Sequence, residues 1–361
     1  MQFSACAVAA LLLFSRSPAR SATPDEAARF LAGLPMHGSS LEGLAARAIW
    51  VDHAMASDDA WRPLESRQLG RIREWADVFL QPEHDSRAPV FYFFSGPDFL
   101  YAQTLFPNAA DYVLCGLEPV GAMPDLEQLP PAVLGAALAN LRKAMNSALS
   151  FSFFITKEMK VDLTQTQLSG TLPVLLVFLA RGGCRVDSIQ PVDLDISGVA
   201  TSGKAATSGA EIIFFGPHGR KQRLHYFTAD LSNGAVKANP AILKWSASLG
   251  QGQSLLKAAS YLLHNDGFST ARDFLLKHSD TLVQDDSGIP LRFFRAREWQ
   301  LRFFGRYAGP IDLFKERYQP ELRDAYARSL PPPLAFSFGY RWHPRESGML
   351  VARRPPKQPE D

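Results

Sequence analysis

The sequence predicts an α/β fold in which a mixed, mostly parallel sheet is flanked by helices. Apolar runs of strand length alternate along the chain with segments whose apolar residues recur every three or four positions. Of the 361 residues, 46% are hydrophobic and 20% are charged, which is enough apolar material for a large core. Strands that alternate with helices favour one α/β architecture over separate all-α and all-β domains.

Residues 1–22 predict a signal peptide. An apolar stretch runs from Ala5 to Phe14, and Pro18 and a cluster of small residues ending at Ala22 follow it, as in a secretory leader. The stretch is too short to cross a bilayer, so we expect a periplasmic or secreted protein whose mature chain has no integral membrane segment. The alternative is the first core helix of a cytosolic protein.

Charge and cysteine content limit the partners that can be expected. Removal of the leader takes away Arg16 and Arg20, which leaves 38 − 2 = 36 basic residues against 36 acidic ones. A neutral mature chain gives no electrostatic reason to expect nucleic acid as a partner. Cys115 lies in an apolar run, so a buried thiol is favoured over a disulfide with Cys184, and the pairing stays open.

The N-terminal half is predicted to span residues 23–200. The apolar segment 172–180 has no polar face, so Leu175, Val177 and Phe178 are expected to lie in a buried helix. The elements predicted for this half are helices at 25–35 and 40–80, a strand at 90–95, a helix at 97–106, a strand at 111–118, a helix from Pro131, a helix at 172–180 that ends at Gly182-Gly183, and a strand after it.

The C-terminal half is predicted to span residues 211–350, after a mobile loop or linker rich in small residues at 198–211. Its elements are a hairpin at 211–231 that turns at Gly216–Gly219, helices at 254–264 and 269–278, a strand before Asp285, a strand at 299–307, a helix at 320–329 and strands at 334–342 and 348–354. A disordered tail is expected at 351–361.

A weak internal sequence similarity suggests a two-half organisation. Ser95-Gly96 in the first half and Ser287-Gly288 in the second each follow an apolar strand. Because both turns would then stand at carboxyl ends of strands, we expect them to lie near one another and border one cleft. Gene duplication and convergent turn chemistry are both open explanations.

The stretch 90–121 resembles the opening of a Rossmann fold. It reads as strand, glycine-containing turn, helix and strand, and it places Glu118 at the end of the second strand, 22 residues after Gly96. The resemblance covers residues 88–200 and implies a ligand near the helix start and an acid that accepts ribose hydroxyls. Gly182–Val186 is likewise similar to the helix-Gly-Gly-strand of methyltransferase-like folds.

The fingerprint for phosphates is absent from this turn. A single glycine is followed by Pro97, which has no N–H to donate, so nucleotides and S-adenosylmethionine are disfavoured as ligands. The alternative interpretation is structural: Ser95 or Asp98 caps a short helix that begins at Pro97.

Two further clusters are candidates for chemistry. Ser95 or Ser287 could act as a nucleophile with His264 as base, although no G-x-S-x-G elbow occurs. Asp285 and Asp286 could bind a hard cation or a sugar hydroxyl, or one of them could be an acid of raised pKa. The alternative is an Asp-Ser-Gly turn with solvated carboxylates.

The histidines show no metal-ligand spacing, so neither a metal nor a cofactor is predicted. The leading hypothesis is an exported protein that binds a small polar ligand in a cleft between the halves. The alternatives are a serine- or carboxylate-dependent hydrolase and, without export, a Rossmann-like transferase. The residues predicted to line the cleft are Ser95, Gly96, Asp98, Glu118, His264, Asp285, Asp286 and Ser287.

Overall fold

The computed structural model describes residues 21–123, 125–151, 168–258, 260–341 and 343–355. Within these ranges, nine strands form one sheet at the centre of the protein. In chain order the strands are β1 (Val90–Tyr92), β2 (Asp111–Gly116), β3 (Arg185–Leu194), β4 (Thr207–Phe215), β5 (Lys221–Thr228), β6 (Gly252–Leu256), β7 (Ser279–Gln284), β8 (Gln300–Gly305) and β9 (Gly348–Arg353).

The strands follow the spatial order β3-β4-β5-β2-β1-β6-β7-β9-β8. The five central strands, from β5 to β7, pair in parallel, whereas the pairs at both edges are antiparallel. The predicted α/β class and mixed sheet are therefore confirmed, but parallel pairing is confined to the middle of the sheet.

Helices cover both faces of this sheet. They are α1 (Pro24–Leu31), α2 (Glu42–Ala45), α3 (Ala48–Leu64), α4 (Gly70–Phe79), α5 (Gln81–His84), α6 (Phe99–Leu105), α7 (Pro131–Phe151), α8 (Leu172–Arg181), α9 (Asn233–Ala238), α10 (Ala241–Ser248), α11 (Ser269–His278) and α12 (Pro320–Ser329). The predicted 40–80 helix is divided by a π-helical segment at Glu65–Leu69, just after Pro63, which lacks the N–H that a continuous helix needs.

Successive residues of β1 and β2 enter opposite cores. Val90 and Tyr92 pack with α1, α3, α4, α6, α7 and α8, whereas Phe91 packs with α9, α10 and α11. Tyr112 and Val113 of β2 divide in the same way. This alternation follows from the period of two along a strand, and burial on both faces is typical of parallel central strands.

Two predicted elements are wrong. The helix expected at 254–264 is instead β6 followed by a short 3₁₀ helix at Ser260–His264, because a short run buried on every side does not reveal its period. The strand expected at 334–342 is irregular over its described part, 334–341. Its aromatic residues serve packing instead: Phe336 meets Trp75 edge-on with ring centroids 5.9 Å apart.

The single sheet takes strands from both predicted halves, so the two-half organisation stays a prediction. The leader is outside the described residues except for 21 and 22, and β9 takes in residues 351–353 of the predicted tail, of which 356–361 are also outside. In the described part of the chain no helix is long and apolar enough to cross a membrane. Cys115 and Cys184 are buried free thiols.

The predicted burial of α8 is confirmed, since Leu175, Val177 and Phe178 are at most 4% exposed. We expect Leu175→Ala to lower the free energy of unfolding by roughly 2–5 kcal/mol, because it leaves a cavity in a packed core. Chemical denaturation measures this change. The matched control is Leu313→Ala, whose side chain is 74% exposed and which should change stability by less than about 0.5 kcal/mol. Equal effects of the two variants would contradict the packing described for α8.

Candidate functional site

All eight predicted site residues lie at one edge of the sheet. They follow the carboxyl ends of β1, β2, β6 and β7, and parallel strands bring these ends to the same side. Contacts divide seven of them into two groups, and the eighth, Ser95, donates to the Gly96 carbonyl. Gly96 and Glu118 line a pocket, whereas Asp98, Asp285, Asp286, Ser287 and His264 belong to a buried polar network beside it.

The pocket has a volume of about 410 Å³. Its walls come from the ends of β1, β2 and β5 and from the segment after β6, and so from both predicted halves of the chain. The apolar wall includes Leu117, Leu231 and Leu262, together with Phe94 and Phe268, whose rings meet edge-on at 5.9 Å. The only ionisable groups other than the Cys115 thiol in the described lining are Glu118 and Asp230, so the lining has no basic side chain.

Two glycines allow the floor of the pocket to form. Gly96 has a φ of +54°, and its N–H donates to the Cys115 carbonyl at 3.3 Å, which joins the turn after β1 to the end of β2. A Cβ on Gly116 would stand 3.0 Å from the Gly96 Cα and 2.4 Å from Glu118 Oε2. Glycine is therefore required where the backbone turn and the carboxylate approach β2.

Glu118 is held by β5. Thr228 donates to the Glu118 carbonyl at 2.8 Å, and the Tyr226 hydroxyl lies 3.3 Å from Oε2. Glu118 is 2% exposed, yet Oε1 accepts no hydrogen bond from the described residues. A carboxylate oxygen that has no donor and borders a pocket is a ready acceptor for a ligand hydroxyl or amine.

Lys257 is the site residue that sequence reasoning missed. Its ammonium lies 2.7 Å from Asp98 and 3.3 Å from the ring centroid of Tyr101, and Tyr92 donates to the same Asp98 oxygen at 2.7 Å. Burial lowers the pKa of Lys257 and raises that of Asp98, although their mutual attraction opposes both shifts. The signal in the sequence is a single lysine within the apolar run around 255–259. A lysine buried in such a run needs an acidic partner, because an unpaired lysine is almost never buried.

In the Asp285-to-Ser287 turn, Asp285 and Ser287 are buried and Asp286 is partly buried, so the predicted alternative of fully solvated carboxylates does not hold for Asp285. Asp285 accepts from the Ala258 N–H at 2.9 Å and from the Ser287 hydroxyl at 2.5 Å, and Tyr261 donates to Asp286 at 2.8 Å. Burial raises the pKa of Asp285 to about 6, while burial and the neighbouring Asp285 raise that of Asp286 to about 7.

Neither serine forms a hydrogen bond with His264 in the described structure. Ser287 is fully buried, with its hydroxyl oxygen also 2.6 Å from the Ala258 carbonyl, and the Ser95 hydroxyl donates to the Gly96 carbonyl. His264 packs its ring 5.2 Å from that of Tyr261, and burial lowers its pKa to about 4. These contacts do not present an activated serine.

Two residues at this edge have strained backbones. Phe94 follows β1 with a φ of +63°, and Ala258 follows β6 with a φ of +52°. This left-handed region is unfavourable for side chains with a Cβ, and such strain clusters at functional sites. Among the described residues, no group of three or more histidines, cysteines or acids could hold a metal ion.

Comparison with known proteins finds no matching protein-family model, no similar curated protein and no similar solved structure. Functional inference for this chain therefore depends on the geometry of the site.

Lys257→Met is expected to lower the free energy of unfolding by about 3–5 kcal/mol, because it leaves the Asp98 carboxylate buried without its cation. Adding Asp98→Asn removes the uncompensated carboxylate charge and keeps an acceptor for Tyr92. The double variant should therefore recover part of the lost free energy of unfolding. Urea denaturation of the three proteins measures both effects. A double variant less stable than Lys257→Met would show that the pair does not set the stability of this edge.

Asp286→Asn should change the pH dependence of stability. The pKa of Asp286 in the folded protein is about 7, above that of an exposed aspartate, so its ionisation destabilises the fold as pH rises from about 4 to 7. Because Asp286 keeps some solvent contact, we expect the variant to gain about 1–2 kcal/mol relative to wild type between pH 4.5 and pH 8. Denaturation at both pH values measures the gain, and the exposed Asp273→Asn, the control, should show none.

Proposed function

We propose that the carboxyl-edge pocket binds a small neutral or cationic ligand that combines a flat apolar ring with hydroxyl or amino groups, as a nucleoside does. The observation that carries this proposal is the buried Glu118 carboxylate, which has an unused oxygen beside an apolar pocket of about 410 Å³. Pockets for small ligands typically have this composition, an apolar lining with a few placed polar groups.

The strand order supports the location. Counted along the chain, the five parallel strands β1, β2, β5, β6 and β7 lie in the spatial order third, second, first, fourth, fifth. Connections from β1 and β6 therefore leave in opposite directions along the sheet. In open α/β sheets of this order, ligands bind outside the carboxyl ends of the strands where the order reverses. The strained Phe94 and Ala258 follow those two strands.

The lining supports the ligand class. The rings of Phe94 and Phe268 and the leucines offer an apolar surface for a ring, and Glu118 can accept hydrogen bonds from vicinal hydroxyls. Phosphates are disfavoured, because the described lining has two carboxylates and no basic side chain to neutralise them. This agrees with the absence of a phosphate fingerprint at Gly96-Pro97.

The other hypotheses are less supported by these contacts. A serine hydrolase would need an accessible nucleophile and a base, and Ser287 is fully buried. The raised pKa values of Asp285 and Asp286 keep a carboxylate-dependent hydrolase as an alternative. A transferase would bind a nucleoside cofactor in the same pocket, and export of the chain remains a separate prediction.

Calorimetric titration with adenosine tests the proposal. We expect binding to wild type, and binding weaker by about tenfold or more to Glu118→Gln, which keeps the shape of the side chain but loses its charge. 2′,3′-Dideoxyadenosine, which lacks the hydroxyls, should bind wild type and Glu118→Gln about equally weakly. The exposed Glu74→Gln is the matched control and should bind adenosine as wild type does.

The panel also separates the alternatives. Adenosine monophosphate should bind no better than adenosine, because the pocket has no cation for the phosphate. S-Adenosylmethionine binding more tightly than adenosine would favour the transferase. Absence of nucleoside binding, or equal adenosine binding by wild type and Glu118→Gln, would contradict the proposal.

A further inference from the structure

A second pocket, of about 190 Å³, lies between α3, α7 and α8, and shares no residue with the carboxyl-edge pocket. The side chains of two arginines, Arg142 and Arg181, line it. Trp61, Met145 and Val177 supply apolar walls. We propose that this pocket binds a small organic carboxylate with an apolar body.

Arg142 is held in place by a neutral partner. Its Nη1 lies 2.6 Å from Nδ1 of His53, and His53 Nε2 lies 2.9 Å from the Leu31 carbonyl. A carbonyl can only accept, so Nε2 carries the ring proton and Nδ1 accepts from Arg142. Burial, aided by the two guanidinium groups, lowers the pKa of His53 to about 4. The ring is therefore uncharged at physiological pH and does not repel Arg142.

The described lining of this pocket contains two arginines and no carboxylate. Arg142 contacts no carboxylate among the described residues. Arg181 is 6% exposed, its Nε donates to the Ala32 carbonyl at 2.7 Å, and its Nη1 pairs with Asp58, which is 56% exposed. Its Nη2 has no hydrogen-bond partner in the described structure. The half-exposed Asp58 pairs with Arg181, and Asp52 attracts Arg142 without contacting it. Guanidinium is the preferred protein partner of a carboxylate, so a ligand carboxylate suits this lining.

Size and lining specify the body of the ligand. A volume of about 190 Å³ equals about six water molecules at about 30 Å³ each, which suits a compact organic anion. Trp61 and Met145 can contact a ring or short aliphatic chain, whereas an inorganic anion would leave this surface uncovered. Trp61 also stands four residues before the π-helical segment at Glu65–Leu69, and such segments are frequent at functional sites.

Titration of 4-fluorobenzoate, followed by fluorine NMR at constant ionic strength, tests the proposal on the full chain. We expect saturable binding to wild type and an affinity lower by about tenfold or more for Arg142→Gln. Glutamine is uncharged and shorter than arginine, so the variant loses both the charge and the hydrogen bond to His53. The matched control is Arg62→Gln. Arg62 is also on α3, which lines the pocket, but its side chain is 75% exposed, so this variant should bind as wild type does.

A second variant leaves both arginines in place. Ala60→Leu fills the pocket from α3 and should abolish binding, so it tests the site even where Arg142→Gln is unstable. Inorganic phosphate should fail to displace the fluorobenzoate. Absence of saturable binding to wild type, unchanged affinity in Ala60→Leu, or displacement by equimolar phosphate would each overturn the proposal.

Discussion

The buried ion pair between Lys257 and Asp98 is the contact on which the carboxyl edge of the sheet depends. It joins the segments that follow β1 and β6, the two central strands from which the chain continues in opposite directions. Desolvation disfavours both charges, so the pair persists only because each charge compensates the other. With the pair in place, the turn that holds Phe94 and Gly96 has a fixed position beside β2, and the floor of the pocket is defined.

The same lysine explains why carboxylates can gather inside this edge. Asp285, at the end of β7, lies within the field of Lys257 and accepts the Ala258 N–H, so three neighbouring strand ends share one polar network. Burial raises the pKa of Asp285, and burial together with the neighbouring Asp285 raises that of Asp286. Glu118 and Asp230 add two further acids in the neighbouring pocket.

Much of this edge could be predicted from the sequence, because its signals are local. The continuous apolar runs at 90–94 and 112–115 indicate central strands, and the position of Glu118 after the second strand follows directly. The strand order could not be predicted, since pairing joins residues far apart in sequence. The sequence predicts a helix at 254–264 where β6 ends, because residues 252–256 are buried on every side and show no period. Lys257 therefore falls inside a predicted helix, although in the structure it directly follows the end of a strand.

The two Ser-Gly turns show how position in the sheet decides what a local motif does. β1 has parallel neighbours on both sides and stands where the strand order reverses, so its turn can open toward the carboxyl-edge pocket, and Gly96 lines that pocket. β7 has the antiparallel β9 on one side, and the irregular chain before β9 covers its end: a Cβ on Gly339 would collide with the Asp285 carboxylate. Ser287 is thereby enclosed and acts within the fold. Sequence similarity between the two Ser-Gly turns therefore does not imply a shared role. The turn at Gly96 lines a cavity, whereas the turn at Ser287 is enclosed within the fold.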